Sequence, residues 1–573
     1  MVFDVITSAT DYVRRIVEGC SGLKALLTDD ETLSMIGLVY SQLEAYNKGV
    51  FLIEKLETPR SEQMKHMKCL VFVRPNSTNL NILQKELASP KFGEYHIFFS
   101  NIVRKALLEE LAESDTFELV SEVQEYFLDF YAVAPQLFHL NVLPCLLSPS
   151  GENPILERLV DGISSLFLAL KMRPFIRYDT HSKLCRFVCE RLSVRMDQEN
   201  TLFDFRRRES NPIVLILDRM QDPLTPLMTP WTYEAMIHEL IGVKNNRVNL
   251  RHSPDARKGY QEVVLDSKQD KFYNVNRYKN YGDLGVNIKS LVDQFQEKAR
   301  YNHSTSTIED MMKFLEAYPE LRSSSSEVNK HVILISELSR LVTSRHLMDV
   351  AQLEQDIACR NSLTEHQNQL FKILESPSIH IEDKFRLSLI YALRYEEIPQ
   401  NRLGEIKDTL KKLGLSAERL QLFSSLLKYG GNASRTSDIF QNKSILGLVR
   451  NTVRRGIVGV ENVFAQHVPL IVHIIDDIMK GRLRETEFPF MTPATGKNVP
   501  KEILIFITGG VTYQESRVVA IINGELQTES EPEISAVANF AQSNGFRIIL
   551  GGSTIHNSKS FLSEVSRIAY PWR

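Results

Sequence analysis

The chain has 573 residues, of which 43% are hydrophobic and 24% charged, and its formal net charge is -3. Such a composition supplies apolar material for several large cores, and its near-balanced charge excludes a global field that would draw the chain onto nucleic acid or anionic lipid. No apolar run approaches the roughly 18 residues that a membrane span needs, so a soluble protein that meets membranes only through partners is expected.

The N-terminus, MVFDVITSATDYVRRIVEGC, reads as a short amphipathic helix without the apolar core and cleavage site of a signal peptide. Strand signals at Leu23–Asp29, Val50–Leu56, Cys69–Pro75 and Tyr95–Asn101 then alternate with helical stretches, one of them from Glu31 to Tyr46. This is the pattern of a small parallel sheet with helices on both faces. Two helical segments, Ala106 to Ala112 and Thr116 to Tyr126, are expected to close the unit. A second α/β region places strands in FHLNVL, PFIRYD and IVLILDR. From Trp231 to about Lys480 nearly everything reads as helix or loop, with NRYKNYGD and KYGGNASRTSD as surface loops. Leu284, Ile288, Leu291, Val292 and Phe295 fall on one helical stripe, and Ile308, Met311, Met312 and Leu315 on another that Pro319 interrupts. Strand signals return only at Glu502–Gly510 and Phe546–Gly552. Strands need partners, and rejoining the second sheet would make the helical middle a long insertion.

The stretch LDRMQDPLTPLMTPWTYEAMIHELIG, Leu217 to Gly242, carries two aspartates just past a buried strand, where open α/β sheets bind ligands. One reading is a metal-dependent phosphohydrolase in which Asp218 and Asp222 hold magnesium. The other is an ionic and capping network, and each residue type has a place in it. Arg219 adjoins Asp218, and Pro223, Pro226 and Pro230 stiffen a turn. Thr229 caps a helix with Pro230 at its first position, and Glu234 suits the first turn. Elsewhere, Asp29–Asp30 after the first strand suggests a receiver domain, but the third strand ends in Arg74-Pro75-Asn76 and offers no acceptor aspartate. The pairs Gly509-Gly510 and Gly551-Gly552 match no phosphate-binding loop and suit tight strand-to-helix turns. His238 reads as a capped or core histidine, and His556 lacks a Ser–Asp companion in a recognisable elbow. No metal or cofactor is expected.

The pattern L-D-R-x-x-D-x-x-T-P followed by T-Y-E-A-M-I-H-E-L resembles the signature of the SM (Sec/Munc-type) regulators of vesicle fusion. GVENVFAQHVPLI, KGRLRE, ILIFITGGVTYQE and RIILGGSTIHNSKSFLSEV look like further blocks of that family, so the resemblance extends over essentially the entire chain. EVQEYFLDFYAVAPQLFHLN is similar to its vacuolar-protein-sorting branch, which serves endosomes and the trans-Golgi network. The resemblance implies an arch of three domains: two parallel-sheet α/β domains and a largely helical one. Residues 1–130 would form the first, 131–232 and 473–573 the two segments of the second, and 233–472 the helical insertion. It further implies a cytoplasmic, non-enzymatic protein peripherally associated with Golgi, trans-Golgi and endosomal membranes. Its partners would be a syntaxin-type Qa SNARE with its N-terminal peptide, the vesicle R SNARE and assembled SNARE complex, and a Rab-effector tether. Carried onto matching positions, an outer pocket for the N-terminal peptide falls on two helices, with Leu108, Ala112, Val120 and Glu125 as its lining. An inner cleft would use Asp29 and Glu54, with Ser41 where some members carry a basic residue. A SNARE-templating hairpin corresponds to about Asp283–Val342, with Pro319 as hinge and Val332 facing the vesicle SNARE. Asp218, Arg219 and Asp222 would then be fold-defining network residues.

Overall fold

The first α/β unit is a five-stranded parallel sheet in the order β2-β1-β3-β4-β5, formed by Lys24–Thr28 (β1), Val50–Lys55 (β2), Met64–Val73 (β3), Phe92–Phe99 (β4) and Val120–Glu125 (β5). The computed structural model of the protein describes residues 3–143, 154–206, 210–254, 260–301, 319–440, 466–491, 499–526 and 531–567. Because side chains alternate along a strand, the inner strands feed two cores. Leu27, Val71 and Ile97 pack beneath Leu80, Leu83 and Leu87 of the helix Ser77–Ala88 and Leu111 of the helix Lys105–Ser114. Leu26, Leu70, Phe72 and Phe98 face the other way, toward Val5, Val13 and Val17 of the N-terminal helix Val5–Glu18.

Two expected helices differ here. The stretch expected to be a helix from Thr116 to Tyr126 contains the edge strand β5. Both carboxylate oxygens of Asp115 accept N–H groups, from Leu119 at 3.0 Å and Val120 at 2.9 Å, and turn the chain into pairing with β4. The helix expected over Glu31 to Tyr46 is two, Asp30–Val39 and Gln42–Asn47. Ser41 ends the run because it caps the second helix, with Glu44 reaching back to its N–H in a capping box.

The late strands do rejoin the second sheet. Its order is β6-β7-β14-β13-β9-β8, from Tyr131–Ala134 (β6), Leu137–His139 (β7), Phe175–Tyr178 (β8), Ile213–Asp218 (β9), Glu502–Thr508 (β13) and Arg547–Gly552 (β14). All neighbours are parallel except β6 and β7. One face, with Val214, Ile216, Leu504 and Phe506, continues into the same core as Leu26 and Phe72 of the first sheet. The opposite face, with Leu215, Ile505 and Leu550, is covered by the helices Leu470–Met479, Tyr513–Ile522 and Pro532–Asn544.

The middle of the chain is mainly helical, but a small antiparallel sheet of Val243–Lys244 (β10), Arg247–Asn249 (β11) and Glu262–Val264 (β12) was not expected. Strands of two and three residues are too short to leave a periodic signal. Neither expected surface loop is fully on the surface. Arg277 and Tyr278 are buried, as is Arg435. The final helix, Ser558–Arg567, sends Phe561, Leu562 and Val565 into the helical core beside Phe423 and Leu426.

Gly551 lies inside β14, not in a turn, and a Cβ there would stand 2.1 Å from the Phe138 ring of β7, its pairing partner. Gly551→Ala is therefore expected to cost about 1–3 kcal/mol in equilibrium urea unfolding, with part of the loss recovered on adding Phe138→Leu.

Candidate functional site

The loop after β9 is a junction. Arg219 is fully buried and donates to Glu515 at 2.6 Å and to the carbonyls of Gly510 and Asp222, both at 3.1 Å. The second oxygen of Glu515 accepts the N–H and hydroxyl of Thr512, capping the helix Tyr513–Ile522. Asp222 accepts from the Thr225 N–H at 3.0 Å and hydroxyl at 2.6 Å, and from the Leu470 N–H at 3.3 Å. Burial alone would raise its pKa, but Arg219, His467 and the Thr225 donors hold it below the usual carboxylate range. Asp218 accepts from the Met220 N–H at 3.0 Å and the Ser182 hydroxyl at 2.6 Å. Burial, helped by Asp179, pushes its pKa up to about 6. The oxygens of both aspartates are thus engaged by donors of the chain, which is the capping network and not an arrangement of free metal ligands.

Two details differ from the sequence expectation. The acid opposite Arg219 is Glu515, not the adjacent Asp218. Thr232, not Thr229, is the N-cap of the helix Tyr233–Leu240. Thr229 instead donates its N–H and hydroxyl to Glu354 at 2.8 and 3.1 Å, and Glu354 in turn pairs with Arg386. Gln221 completes the junction, donating to Asp179 at 2.9 Å and accepting from the Thr436 N–H and Ser437 hydroxyl, both at 3.1 Å.

On the first sheet, the residues expected to line the outer pocket lie on one helix and one strand, not on two helices. Leu108 lies on Lys105–Ser114 and Val120 at the start of β5; both are half-buried against the Leu83–Phe99 core, beside Leu107 and Leu119. Ala112 is exposed on the same helix. Glu125 ends β5, accepts the Val103 N–H at 2.7 Å, and has its pKa raised by burial.

Asp29 lines a cleft of about 270 Å³ at the carboxyl ends of β1 and β3, together with Glu31, Lys55, Arg74 and Asn79. Its oxygens are already occupied. One accepts the Thr32 N–H at 2.7 Å, and the other accepts the Arg74 N–H and the Asn79 amide, both at 2.7 Å. Glu54 pairs with Arg60 at 2.9 Å.

In the helical part, Tyr281–Tyr301 packs against Pro319–Ser344. Val328, His331, Leu334, Leu338 and Val342 make the buried stripe, and Val332 points away with 39% exposure. His331 is hydrogen-bonded to the Tyr233 hydroxyl at 2.9 Å and to Asp270 at 2.8 Å, and Lys330 also pairs with Asp270. Although burial opposes it, these partners bring Asp270 down to about 2. The stripe expected at Ile308, Met311, Met312 and Leu315, and the chain entering Pro319, lie outside the described residues.

The Sec1 family model matches residues 24–564. The chain belongs to the Sec1 family. It is 41% identical over 574 aligned residues, 98% of this chain and 97% of the other, to vacuolar protein sorting-associated protein 45 homolog of Arabidopsis thaliana. It is 38% identical to the human protein of that name over 98% of this chain and 96% of the other. Among solved structures, the SM protein Vps45 in complex with the Qa SNARE Tlg2 is 40% identical with a TM-score of 0.86, covering 98% of this chain and 97% of that one. At 18% identity, Sly1p bound to an N-terminal peptide of Sed5p shares the Sec1-family fold with a TM-score of 0.76, over 99% of this chain and 98% of that one.

Two measurements test the junction of this Sec1-family protein. Arg219→Met strands Glu515 in the interior and is expected to cost about 3–5 kcal/mol in urea unfolding, whereas adding Glu515→Leu recovers most of the loss. Asp218 holds its proton in the folded state up to about pH 6, while in the unfolded chain it ionises near the ordinary carboxylate value. Its contribution to stability is therefore fully present below about pH 4 and lost as pH rises through about 6. Wild-type stability relative to Asp218→Asn should fall over that interval in melts taken at stepped pH; a pH-independent difference would contradict the assignment.

Proposed function

We propose that this protein is a non-enzymatic regulator of vesicle transport that binds a syntaxin-type Qa SNARE and templates SNARE-complex assembly. The observation that carries the reading is its full-length likeness, at 40% identity, to a Vps45 chain solved with the Qa SNARE Tlg2. The geometry agrees in kind. The loop that would have been an active site is spent on holding the fold, and exposed apolar surfaces remain. Among the described residues no helix is long and apolar enough to cross a membrane, which fits association through a membrane-anchored partner. We take the endosomal and trans-Golgi compartments as the site of action, in keeping with the vacuolar-sorting relatives.

In this reading the chain divides as 1–130, 131–232 with 473–573, and 233–472. The Qa SNARE N-terminal peptide sits on Leu108 and Val120, with Glu125 receiving a basic residue and Ala112 leaving room at the helix surface. Asp29 and Glu54 shape the inner cleft from within, through Arg74, Asn79 and Arg60. Val332 belongs to the face offered to the vesicle R SNARE, with Pro319 as the hinge of the helical pair. Assembled SNARE complex and a Rab-effector tether complete the set of partners.

Leu108→Arg places an unpaired charge in the apolar pocket and is expected to weaken binding of the Qa SNARE N-terminal peptide by about 1–3 kcal/mol in calorimetric titration. Wild-type affinity in a folded variant would remove the pocket assignment. The SNARE reading itself is tested by capture from cytosol with the full chain as bait, where a Qa SNARE is the expected prey.

A further inference from the structure

The connection from β2 to β3 carries the sequence Glu57-Thr58-Pro59-Arg60. Its turn is closed at one atom. The Lys55 carbonyl accepts both the Thr58 N–H at 3.0 Å and a terminal N–H of Arg60 at 2.7 Å, so the two nitrogens lie no farther apart than the sum of those distances. The Arg60 side chain is nearly enclosed, with 6% exposure, whereas Thr58 and Pro59 are exposed. Its Nε donates to Glu54 at 2.9 Å, and its other terminal nitrogen makes no hydrogen bond among the described residues. A hydroxyl in solvent thus stands close to a guanidinium that the fold holds in place and whose donors are only partly used.

Thr58 is also the residue of its kind that an enzyme can reach. Proline biases the residue before it toward extended backbone, the form in which a kinase cleft takes an acceptor segment. Elsewhere among the described residues the Ser–Pro and Thr–Pro pairs are closed. Thr225, Thr229 and Ser253 are buried, Pro90 is buried behind Ser89, and the half-buried Ser376 bonds the Ser378 hydroxyl at 2.9 Å.

We propose that Thr58 is a phosphorylation site for a proline-directed kinase, and that Arg60 receives the phosphate in exchange for Glu54. The kinase transfers the γ-phosphoryl group of ATP to the Thr58 Oγ. A new O–P bond forms as the bond to the ADP oxygen breaks, ADP leaves, and the hydroxyl proton passes to the base of the kinase. The product carries about −1.5 to −2 charges at pH 7 and three acceptor oxygens, which suit a guanidinium fork better than the single Nε bond that Glu54 makes. Lys55 and Arg60 favour the added charge, while Glu57, Glu62 and the released Glu54 oppose it. Lys55, Leu56 and Glu57 line the cleft of about 270 Å³ at the carboxyl ends of β1 and β3, where Lys55 pairs with Asp30 at 2.6 Å. The phosphate therefore sets the charge on the rim of that cleft. The strand itself stays in place, because the Leu56 N–H remains bonded to the Thr28 carbonyl at 2.8 Å just before the turn.

The test treats the folded, full-length protein with ATP, magnesium and a proline-directed kinase, locates phosphothreonine by peptide mass spectrometry, and titrates it by phosphorus NMR. Phosphate is expected on Thr58 and absent from that position in Thr58→Val. Its second ionisation, near pH 6 in a free phosphothreonine, is expected at least about half a pH unit lower in the protein than in a synthetic phosphopeptide of residues 54–64. Arg60→Gln should remove that difference. Phosphate found only at other positions of the folded chain would overturn the site. Equal ionisation in protein and peptide, or a difference that survives in Arg60→Gln, would overturn Arg60 as the group that holds the phosphate.

Discussion

The buried pair of Arg219 and Glu515 is the constraint from which the arrangement of the second sheet and the helical part follows. A guanidinium in the interior is tolerated only if its donors are filled. Here they are filled by Glu515, which caps the helix after β13, and by the carbonyls of Gly510 and Asp222. Satisfying one side chain therefore fixes the ends of β9 and β13 and the turn between sheet and helix. The Gly509–Gly510 turn, with φ of 80° and 89°, brings the backbone close: Cβ atoms would stand 3.0 Å from the Arg219 side chain at Gly509 and 2.4 Å from the His556 ring at Gly510. From that anchor Asp222, Gln221 and Thr229 reach three further elements, ending at the Leu470–Met479 helix, the Thr436–Ser437 segment and Glu354.

The same economy governs the first sheet. Its inward face shares a core with the second sheet, so the two sheets are packed as one body on that side. Its carboxyl-end acids are tied to Arg74, Asn79 and Arg60. At the two edges apolar side chains stay partly or largely exposed: Leu108 and Val120 near β5, and Leu43, Tyr46 and Phe51 near β2. Edge strands with exposed apolar neighbours are hazards unless something uses or covers them.

Much of this architecture is legible in sequence because strand signals are local. The apolar runs at β1, β3, β4, β9, β13 and β14 announce buried parallel strands, and the principle that strands need partners joins β13 and β14 to the second sheet across nearly 300 residues. The misreadings share one physical origin, a polar side chain acting at a distance. Asp115 turns Val120–Glu125 into a strand despite its glutamates, and Ser41 divides a helix whose apolar spacing runs on. Thr229 leaves its helix for Glu354. Arg219 passes over the adjacent Asp218 for an acid 296 residues away, although the T-x-x-E box at Thr512–Glu515 was a visible clue. The Tyr46–Phe51 pair left no signal, because exposure is a property of tertiary contacts.

The helix Pro319–Ser344 is pinned to the core at its described, buried stripe. His331 is fully enclosed, held by Tyr233 on one side and Asp270 on the other, and Asp270 also pairs with Lys330 and caps the helix Lys271–Asn276. The charge that Asp270 carries is sustained by these partners against its burial. From Val328 onward the helix therefore belongs to the core, and Val332 is presented to solvent by a rigid segment rather than by a floating one.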